Sequence, residues 1–386
     1  MKALIVGGNS GIGLAMVLNL LYRGYDHIYI AGKDPVQLEG IPDDIKGDFY
    51  NKTSFAKINL INEEYDIFNK IRDINTLIIT AGFGRVAPFD ELADQEITNI
   101  IKCNELSAIR IVKAYYDKIK SNDKFYCAIM GSIAGHVASP LFSVYGASKM
   151  GLCAFVENVN AELAAQGFDN RILDVSPGSI KGTSFNGGET DCSMISKLAD
   201  EIIDNMFLSK ALFIPQYDEV YKEVIGRYHK DSSKFALESY DYKMKSGRIQ
   251  TKPQMVVGYL SGTFDLFHIG HLNLLKRAKA ECDYLIVGVH KSGSWKGKET
   301  FISHDERMEI VKSIKYVDKV IESYPEDSDA YDALKYDKLF VGGDYKGSER
   351  FERYEKYFSD KNVEIVYFPY TQGTSSTQLR NAISKE

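Results

Sequence analysis

Three side chains in the first half of the chain have the types and spacing for carbonyl reduction. Tyr145 and Lys149 stand four residues apart, which places them on one face of a helix, and Ser132 lies thirteen residues before Tyr145. A tyrosine can protonate a ketone oxygen as hydride arrives if its pKa falls well below the ordinary value near 10. A lysine ammonium on the same helix face lowers that pKa. We therefore predict that Tyr145 is the acid, that Lys149 tunes it, and that Ser132 hydrogen-bonds the carbonyl oxygen.

A pair of histidines in the last third of the chain has a different pattern. His268 and His271 lie in 262-GTFDLFHIGH-271, after a predicted strand and before the amphipathic run 272-LNLLKRAKA-280. The pair therefore falls at a helix N-terminus, where backbone N–H groups and the helix dipole favour phosphate. Zinc would need three or four ligands, and no third His, Cys or carboxylate stands at a suitable spacing, so no metal site is predicted.

A glycine-rich turn near the start of the chain has the spacing of a pyrophosphate-binding loop. Gly7, Gly11 and Gly13 lie between a short apolar run and a helical segment. Such glycines let the backbone approach a pyrophosphate at a helix N-terminus. At the end of the next predicted strand, where an acidic residue would bind a ribose 2′-hydroxyl, the chain has Gly32 followed by Lys33. This pattern favours NADPH over NADH.

Short apolar runs alternate with helix-length segments in both parts of the chain, which is typical of βαβ units and parallel sheets. The predicted strands of the first part are 3–6, 27–31, 55–60, 76–80, 126–130 and 171–176. Those of the second part are 255–262, 284–289, 317–321, 338–343 and 363–369. We expect an α/β fold in two domains: a Rossmann-type doubly wound parallel sheet in residues 1–230 and a second, smaller doubly wound α/β domain in residues 254–386. The polar stretch 231–253 is the predicted linker.

The composition limits the classes of function. With 386 residues, of which 44% are apolar, the chain can bury two cores, and its net charge of −6 argues against neutralising a nucleic-acid backbone. The five cysteines have no CxxC spacing, so neither a disulfide framework nor a zinc knuckle is expected. No segment has the pattern of a signal peptide or a membrane span. We expect a cytoplasmic protein whose partners are small molecules, with no nucleic acid and no membrane.

The first part resembles the short-chain dehydrogenase/reductase family from residue 1 to about residue 230. The family's glycine-rich loop, its NAG turn and its Asn, Ser and YxxxK residues correspond to 6-VGGNSGIG-13, 80-TAG-82, Asn104, Ser132 and 145-YGASK-149. The resemblance implies that Asn104 anchors a water that relays protons to the active-site lysine, which also holds the nicotinamide ribose. The cofactor-binding residues implied are Gly7, Asn9, Ser10, Gly11, Ile12, Gly13, Lys33, Asn59, Ala81, Gly82, Pro177, Gly178 and Thr183.

The second part resembles the HxGH nucleotidyltransferases, and among them the glycerol-3-phosphate cytidylyltransferases, from about residue 255 to about residue 384. The pattern GTFDLxHxGHxxLLxRAK is present as 262-GTFDLFHIGHLNLLKRAK-279, and the family's RTxGxSTT motif corresponds to 370-YTQGTSST-377, with Tyr370 in place of arginine. The resemblance implies cytidylyl transfer from CTP with Mg²⁺, for which Asp265 is a candidate helper, and histidines on the α- and β-phosphates. The nucleotide-binding residues implied are Gly262, Thr263, Phe264, Lys296, Lys298, Arg307, Asp344, Ser375, Ser376 and Thr377.

These two sites together suggest a bifunctional enzyme. NADPH-dependent reduction of a keto-sugar phosphate, a pentulose or hexulose phosphate, would give a polyol phosphate, and CTP would then give a CDP-polyol and pyrophosphate for surface polysaccharide or teichoic-type polymer synthesis. Two alternatives stay open: cytidylyl transfer first and reduction of the CDP-ketose second, or an inactive reductase fold that only oligomerises a nucleotidyltransferase. Family likeness implies a homo-oligomer, a dimer or tetramer, and the glycine-rich stretch 182–190 is a candidate lid.

Overall fold

The computed structural model describes residues 1–37, 40–63, 65–183, 185, 190–250, 255–292, 299–369 and 378–380. The chain divides into two compact units, Met1–Gln254 and Met255–Glu386. Each unit has its own parallel sheet and its own buried apolar clusters. The two-domain α/β architecture predicted from the sequence is therefore confirmed.

The strands follow the apolar runs of the sequence. The first unit contains β1 (Lys2–Val6), β2 (His27–Gly32), β3 (Thr53–Lys57), β4 (Thr76–Ile79), β5 (Tyr126–Met130), β6 (Ile172–Val175) and β7 (Leu212–Phe213). The second unit contains β8 (Val257–Gly262), β9 (Tyr284–Val289), β10 (Lys319–Glu322), β11 (Lys338–Gly342) and β12 (Glu364–Phe368). Central strands such as β4 are buried along their whole length, because helices cover both faces of a parallel sheet.

Helices connect the strands. The first unit contains α1 (Gly11–Tyr22), α2 (Lys46–Lys52), α3 (Asp66–Lys70), α4 (Asp94–Ile101), α5 (Ser107–Ala114), α6 (Tyr116–Ile119), α7 (Ser143–Ala165), α8 (Cys192–Phe207), α9 (Lys222–Lys230) and α10 (Ser232–Lys245). The second contains α11 (Ile269–Ala280), α12 (His304–Lys312), α13 (Asp327–Leu334) and α14 (Glu349–Phe358). Among the residues described, no helix combines the length and apolarity needed to cross a membrane.

The order of the strands fixes where ligands can bind. The first sheet runs β3-β2-β1-β4-β5-β6-β7 and the second β10-β9-β8-β11-β12, so the direction of winding reverses beside β1 in the first and beside β8 in the second. In such sheets the connections diverge at the reversal and open a crevice at the carboxyl ends of the strands. The glycine-rich turn follows β1 and the histidine motif follows β8, so both motifs lie at the reversal points.

The stretch 231–253, expected to be a linker, contains α10 and belongs to the first compact unit. Asp231 caps this helix, since its carboxylate accepts the Lys234 N–H at 2.9 Å. Further along, the Gln250 N–H donates to the Val86 carbonyl at 2.9 Å. A polar composition is compatible with an exposed helix as well as with a linker, and the sequence pattern alone does not separate the two.

Candidate active sites

The predicted reductase residues come together around the start of α7. Tyr145 and Lys149 are one turn apart on this helix and both are buried. The Lys149 Nζ lies 5.7 Å from the centre of the Tyr145 ring and donates a 2.6 Å hydrogen bond to the carbonyl of Met130, the last residue of β5. Ser132 follows β5 directly, and its side chain hydrogen-bonds to Tyr145.

Burial dominates the electrostatics of these side chains. It raises the pKa of Tyr145 to about 12, and the hydrogen bond with Ser132 acts in the opposite direction. Burial lowers the pKa of Lys149 to about 8. The sequence predicts a Tyr145 pKa well below 10, and in this structure the pKa is raised instead, because the cost of desolvating the phenolate dominates. Tyr145 keeps its proton at neutral pH, which is the form that an acid needs.

Asn104 lies in a π-helical turn, Lys102–Leu106, that joins α4 to α5. Its side-chain amide forms two hydrogen bonds with the backbone of Phe83: the Oδ1 accepts from the N–H at 2.9 Å, and the Nδ2 donates to the carbonyl at 2.8 Å. It also donates to the Ser148 hydroxyl at 3.1 Å. A π-turn widens the helix locally and often occurs at functional sites. Here it places Asn104 between the loop after β4 and the helix that carries Tyr145.

The glycines of the first loop are required by close packing. A β-carbon on Gly13 would lie 2.2 Å from the Gly7 carbonyl oxygen, and one on Gly7 would lie 2.6 Å from the Ala81 nitrogen. Gly7 also has a φ of +86°, which L side chains rarely adopt. The loop is thus held tightly against the end of β4, and Ser10 precedes α1 at its N-terminus. Ile12 lies in the first turn of α1, beside the backbone donors that suit a pyrophosphate.

The end of β2 supports the choice of a cofactor with a 2′-phosphate. A β-carbon on Gly32 would lie 2.5 Å from the Asn9 side-chain oxygen, so Asn9 fills the place of an acidic side chain at this position. Lys33 follows at once and is partly exposed. A carboxylate that would repel a 2′-phosphate is therefore replaced by a neutral amide next to a cation.

Asn59 has an unsatisfied donor that fits a cofactor base. Its side-chain oxygen accepts the Ile61 N–H at 3.0 Å, and the side chain is buried, yet its Nδ2 has no hydrogen-bond partner. A buried amide donor without a partner is costly, and a ring nitrogen of a bound base would satisfy it. The residue follows β3, whose end lies at the same edge of the sheet as the glycine loop.

The segment after β6 reaches the N-terminus of α1. The Ile133 N–H donates to the Pro177 carbonyl at 2.9 Å, and the Tyr221 hydroxyl packs against Gly178. Thr183 lies within van der Waals reach of a β-carbon on Gly11. The Gly11 N–H in turn donates to the Thr190 hydroxyl at 3.0 Å. Both described ends of the predicted lid thus contact the loop, while residues 184 and 186–189 lie outside the described part of the chain.

The Tyr145 ring is surrounded by two aromatic rings, Phe142 and Phe185, and by Gly84. We call these three residues the aromatic wall. The Phe142 and Phe185 ring centres lie 4.7 Å and 5.3 Å from that of Tyr145. A β-carbon on Gly84 would lie 2.6 Å from the Tyr145 ring. Sequence reasoning missed this wall, because single aromatic residues in loops carry no local signal for which ring they will contact.

His136, Cys153 and Asp174 form a compact polar group near Ser132. Their ligand-type atoms lie within 4.8 Å of one another, which is close enough for a metal ion. However, the Ser176 hydroxyl donates to Asp174 at 2.8 Å and lies 2.9 Å from the His136 Nε2. These polar atoms satisfy one another through the serine, so packing explains the group without an ion.

In the second unit, the two histidines cap α11. The His268 Nδ1 accepts the Gly270 N–H at 3.0 Å, and the His271 Nδ1 accepts the His268 N–H at 3.4 Å. Burial lowers the pKa of His268 below its usual value of 6.5. A neutral imidazole that accepts at Nδ1 carries its proton on Nε2. Both rings, stacked with centres 4.0 Å apart, therefore carry their proton on Nε2.

The loop before α11 has an unusual backbone. Phe264 and Leu266 have φ values of +54° and +48°, which side-chain-bearing residues rarely adopt. Phe264 is buried and its ring meets the His271 ring edge-on at 5.4 Å between centres. Gly262 precedes it at the end of β8, with no room for a side chain against the Phe264 ring. This packing fixes the loop that delivers the histidines, and Thr263 lies within it.

Arg307 occupies a different place from the one expected of a phosphate ligand. Its side chain is fully buried and donates to the backbone carbonyls of Thr263, His290, Lys291 and Ile302. In this structure it therefore ties together the loops after β8 and β9. Asp344, by contrast, is exposed in the turn after β11.

Asp265 is a structural centre of the histidine loop. Its carboxylate accepts the backbone N–H groups of Phe301 and Ile302 at 3.0–3.2 Å and pairs with Arg380. These contacts disagree with the suggestion that Asp265 helps to bind Mg²⁺, because its oxygen atoms already have partners. Sequence reasoning missed Arg380, whose signal in the sequence is that it lies three residues after the serine- and threonine-rich motif.

Several predicted nucleotide ligands lie outside the described residues. They are Lys296, Lys298, Ser375, Ser376 and Thr377, and Tyr370 is also outside. Their roles stay predictions.

Comparison with known proteins agrees with the two sites. A family model for short chain dehydrogenases matches residues 1–191, and a cytidylyltransferase-like model matches residues 259–382. The glycerol-3-phosphate cytidylyltransferase of Bacillus subtilis is 35% identical over 127 residues, which are 32% of this chain and 93% of that protein. Retinol dehydrogenase 8 of Bos taurus is 24% identical over 227 residues, 57% of this chain and 72% of that protein.

Among solved structures, a short-chain dehydrogenase from Streptomyces avermitilis is 19% identical and covers 63% of this chain and 98% of its own, with a TM-score of 0.49. The sequence matches divide the chain where the compact units divide. The first unit thus matches the short chain dehydrogenase model, and the second unit belongs to the cytidylyltransferases of the glycerol-3-phosphate type.

Proposed function

We propose that this chain makes a CDP-activated polyol. The first unit reduces a keto-sugar phosphate, a pentulose or hexulose phosphate, with NADPH, and the second transfers a cytidylyl group from CTP to the resulting polyol phosphate. The observation that carries the proposal is that one chain holds both a buried Ser132, Tyr145 and Lys149 set and a pair of histidines whose Nδ1 atoms cap a helix start, which leaves the proton of each ring on Nε2. The product would serve as the activated donor for a surface polysaccharide or teichoic-type polymer.

In the reduction, Tyr145 is the acid. NADPH, when bound, supplies the hydride that adds to the carbonyl carbon. Tyr145 gives its hydroxyl proton to the carbonyl oxygen, so the ketone becomes a secondary alcohol, and Ser132 hydrogen-bonds the same oxygen as negative charge develops. Lys149, whose Nζ lies 5.7 Å from the centre of the Tyr145 ring, is the source of the proton that returns to the phenolate, and its pKa of about 8 keeps it charged at neutral pH.

The residues near the first loop fit NADPH. Asn59 offers the unsatisfied donor for the base, and Lys33 beside Gly32 offers a cation for the 2′-phosphate. The N–H groups at the start of α1 suit the pyrophosphate. An acidic side chain at position 32, which would select NADH, is absent, and the Asn9 side chain occupies the space beside Gly32.

In the transfer, an oxygen of the acceptor phosphate attacks the α-phosphorus of CTP in line, and the bond to pyrophosphate breaks. Catalysis of such a displacement is mostly positioning and charge stabilisation. His268 and His271 donate from Nε2 to phosphate oxygens, and the α11 N-terminus adds positive potential. Because the Asp265 carboxylate is taken up by Arg380 and backbone N–H groups, it does not fit a metal ligand. Mg²⁺ would arrive with the triphosphate.

A mass-spectrometric screen tests the proposal. Pentulose, hexulose and triose phosphates are incubated with NADPH alone, with CTP alone and with both. We expect a mass gain of two hydrogens with NADPH alone and a CDP-polyol with both. Appearance of a CDP-ketose with CTP alone would support the reverse order, and absence of NADPH-dependent reduction with every ketose phosphate, both without and with CTP, would refute the reductase assignment.

A further inference from the structure

Lys243 lies beside the catalytic tyrosine although it comes from α10, beyond the part of the chain that the short chain dehydrogenase model matches. Its Nζ donates to the Ser139 hydroxyl at 2.6 Å and to the Pro140 carbonyl at 2.8 Å. It also lies 5.6 Å from the centre of the Phe142 ring, which packs against the Tyr145 ring. One aromatic ring thus separates this ammonium from the acid of the reductase.

The segment after Lys243 is held against the same region. The Gln250 N–H donates to the Val86 carbonyl at 2.9 Å, and the Ala87 N–H donates to the Leu141 carbonyl at 2.8 Å. The loop that contains Gly84 and the loop that contains Phe142 are therefore bonded to each other, and residues 243–250 are bonded to both. Because these two loops form most of the aromatic wall around Tyr145, the segment is part of the surroundings of the reductase site.

Two cations in this segment have no acidic partner within the described part of the chain. Among the residues that the structure describes, neither Lys243 nor Arg248 forms an ion pair with a carboxylate. Burial and the nearby Arg248 lower the pKa of Lys243 to about 8. Holding a partly buried ammonium beside a second cation is unfavourable unless an anion joins them. The proximity of Lys243 and Arg248 is therefore better explained by binding of an anionic ligand than by a contribution to the stability of the fold.

We propose that Lys243, with Arg248 beside it, binds the phosphate group of the reductase substrate. This inference rests on the proposed function and specifies it: the phosphate is recognised inside the first unit, so the reductase acts on a phosphorylated ketose in preference to a free one. An ammonium has three N–H donors, and two of them are used by Ser139 and Pro140. The third serves the phosphate while the substrate carbonyl meets Tyr145.

The test compares paired substrates. NADPH oxidation is measured with a ketose phosphate and with the same ketose lacking the phosphate, for wild type, Lys243→Met, Lys243→Arg and the exposed neighbour Lys245→Met as a matched control. We expect Lys243→Met to raise KM for the ketose phosphate by about 10- to 100-fold, the effect of losing a charge-assisted hydrogen bond, with a much smaller change for the free ketose. Lys243→Arg should recover most of the affinity, and Lys245→Met should match wild type.

Two results would overturn the inference while leaving the reductase in place. If Lys243→Met raises KM equally for both substrates, the lysine only supports the loop 139–142. If the kinetics are unchanged, the lysine neither binds the phosphate nor supports the loop. If wild type reduces no ketose phosphate at all, the proposed function fails instead. In that case, equilibrium binding of inorganic phosphate decides: one site lost in Lys243→Met supports phosphate recognition, and identical binding refutes it.

Discussion

Tyr145 is protonated at neutral pH because burial raises its pKa to about 12. Its proposed role therefore depends on donating that proton. Tyr145→Phe keeps the ring and its packing against Phe142 but removes the proton. We expect kcat for ketose phosphate reduction to fall by about 10²- to 10⁴-fold, the usual contribution of a general acid. NADPH oxidation measures this, with the exposed Tyr240→Phe as control. Wild-type rates in Tyr145→Phe would exclude Tyr145 as the acid.

Lys149 gives a prediction about pH and stability. Its pKa falls from 10.5 to about 8 on folding, so between pH 8 and 10.5 the unfolded chain binds more protons than the folded one, and stability rises with pH in that window. The free energy of unfolding of the wild type should therefore rise by up to ~3 kcal/mol relative to that of Lys149→Met between pH 7 and 10.5. Chemical denaturation of the first unit at several pH values measures the difference. A pH-independent difference would show that the lysine is not desolvated as described.

At the scale of elements, α11 combines a structural and a chemical task in one residue. His268 caps the helix through Nδ1 and carries its proton on Nε2. Asparagine is a good N-cap but cannot place a donor where Nε2 lies. His268→Asn and His268→Ala should both lower the rate of pyrophosphate release by about 10²- to 10³-fold. Only His268→Ala should lose stability, by about 1 kcal/mol. Equal destabilisation of the two variants would contradict the capping role.

The elements themselves were largely predictable, because a strand that is buried on both faces of a sheet is a continuous apolar run in the sequence, and helical segments separate these runs. The edge strand β3 illustrates the limit. The apolar run predicts 55–60, whereas the strand is Thr53–Lys57 and partly exposed, since pairing with β2 alone sets its register. The helix α10 illustrates another limit. Its polar residues are typical of a linker, and contacts between distant residues, such as that of Lys243 with Ser139, identify it as part of the first unit.

For the whole molecule, the sequence predicts which residue types carry the chemistry but not which distant residues support them. Tyr145 and Lys149 are neighbours in one helix, so their spacing is informative. Asp265 pairs with Arg380, 115 residues away, and no local pattern indicates that pairing. The sequence therefore predicted a metal role for Asp265 that its partners do not support. Supporting contacts form only when the sheet brings separate loops together.

Two units with separate cores should act independently in their chemistry. Tyr145→Phe is then expected to transfer cytidylyl groups to added polyol phosphate at the wild-type rate, and His268→Ala to reduce the ketose phosphate at the wild-type rate.

An equimolar mixture of the two variants should make CDP-polyol from ketose phosphate, NADPH and CTP, because the polyol phosphate can diffuse between molecules. Since covalent linkage only raises the local concentration of the intermediate, the initial lag should be longer for the mixture than for wild type and should shorten as protein concentration rises. Coupled product formation followed by mass spectrometry over time measures the lag. A mixture that makes no CDP-polyol, although each variant keeps its own half-reaction, would mean that the intermediate is never released and that independence of the two sites is wrong.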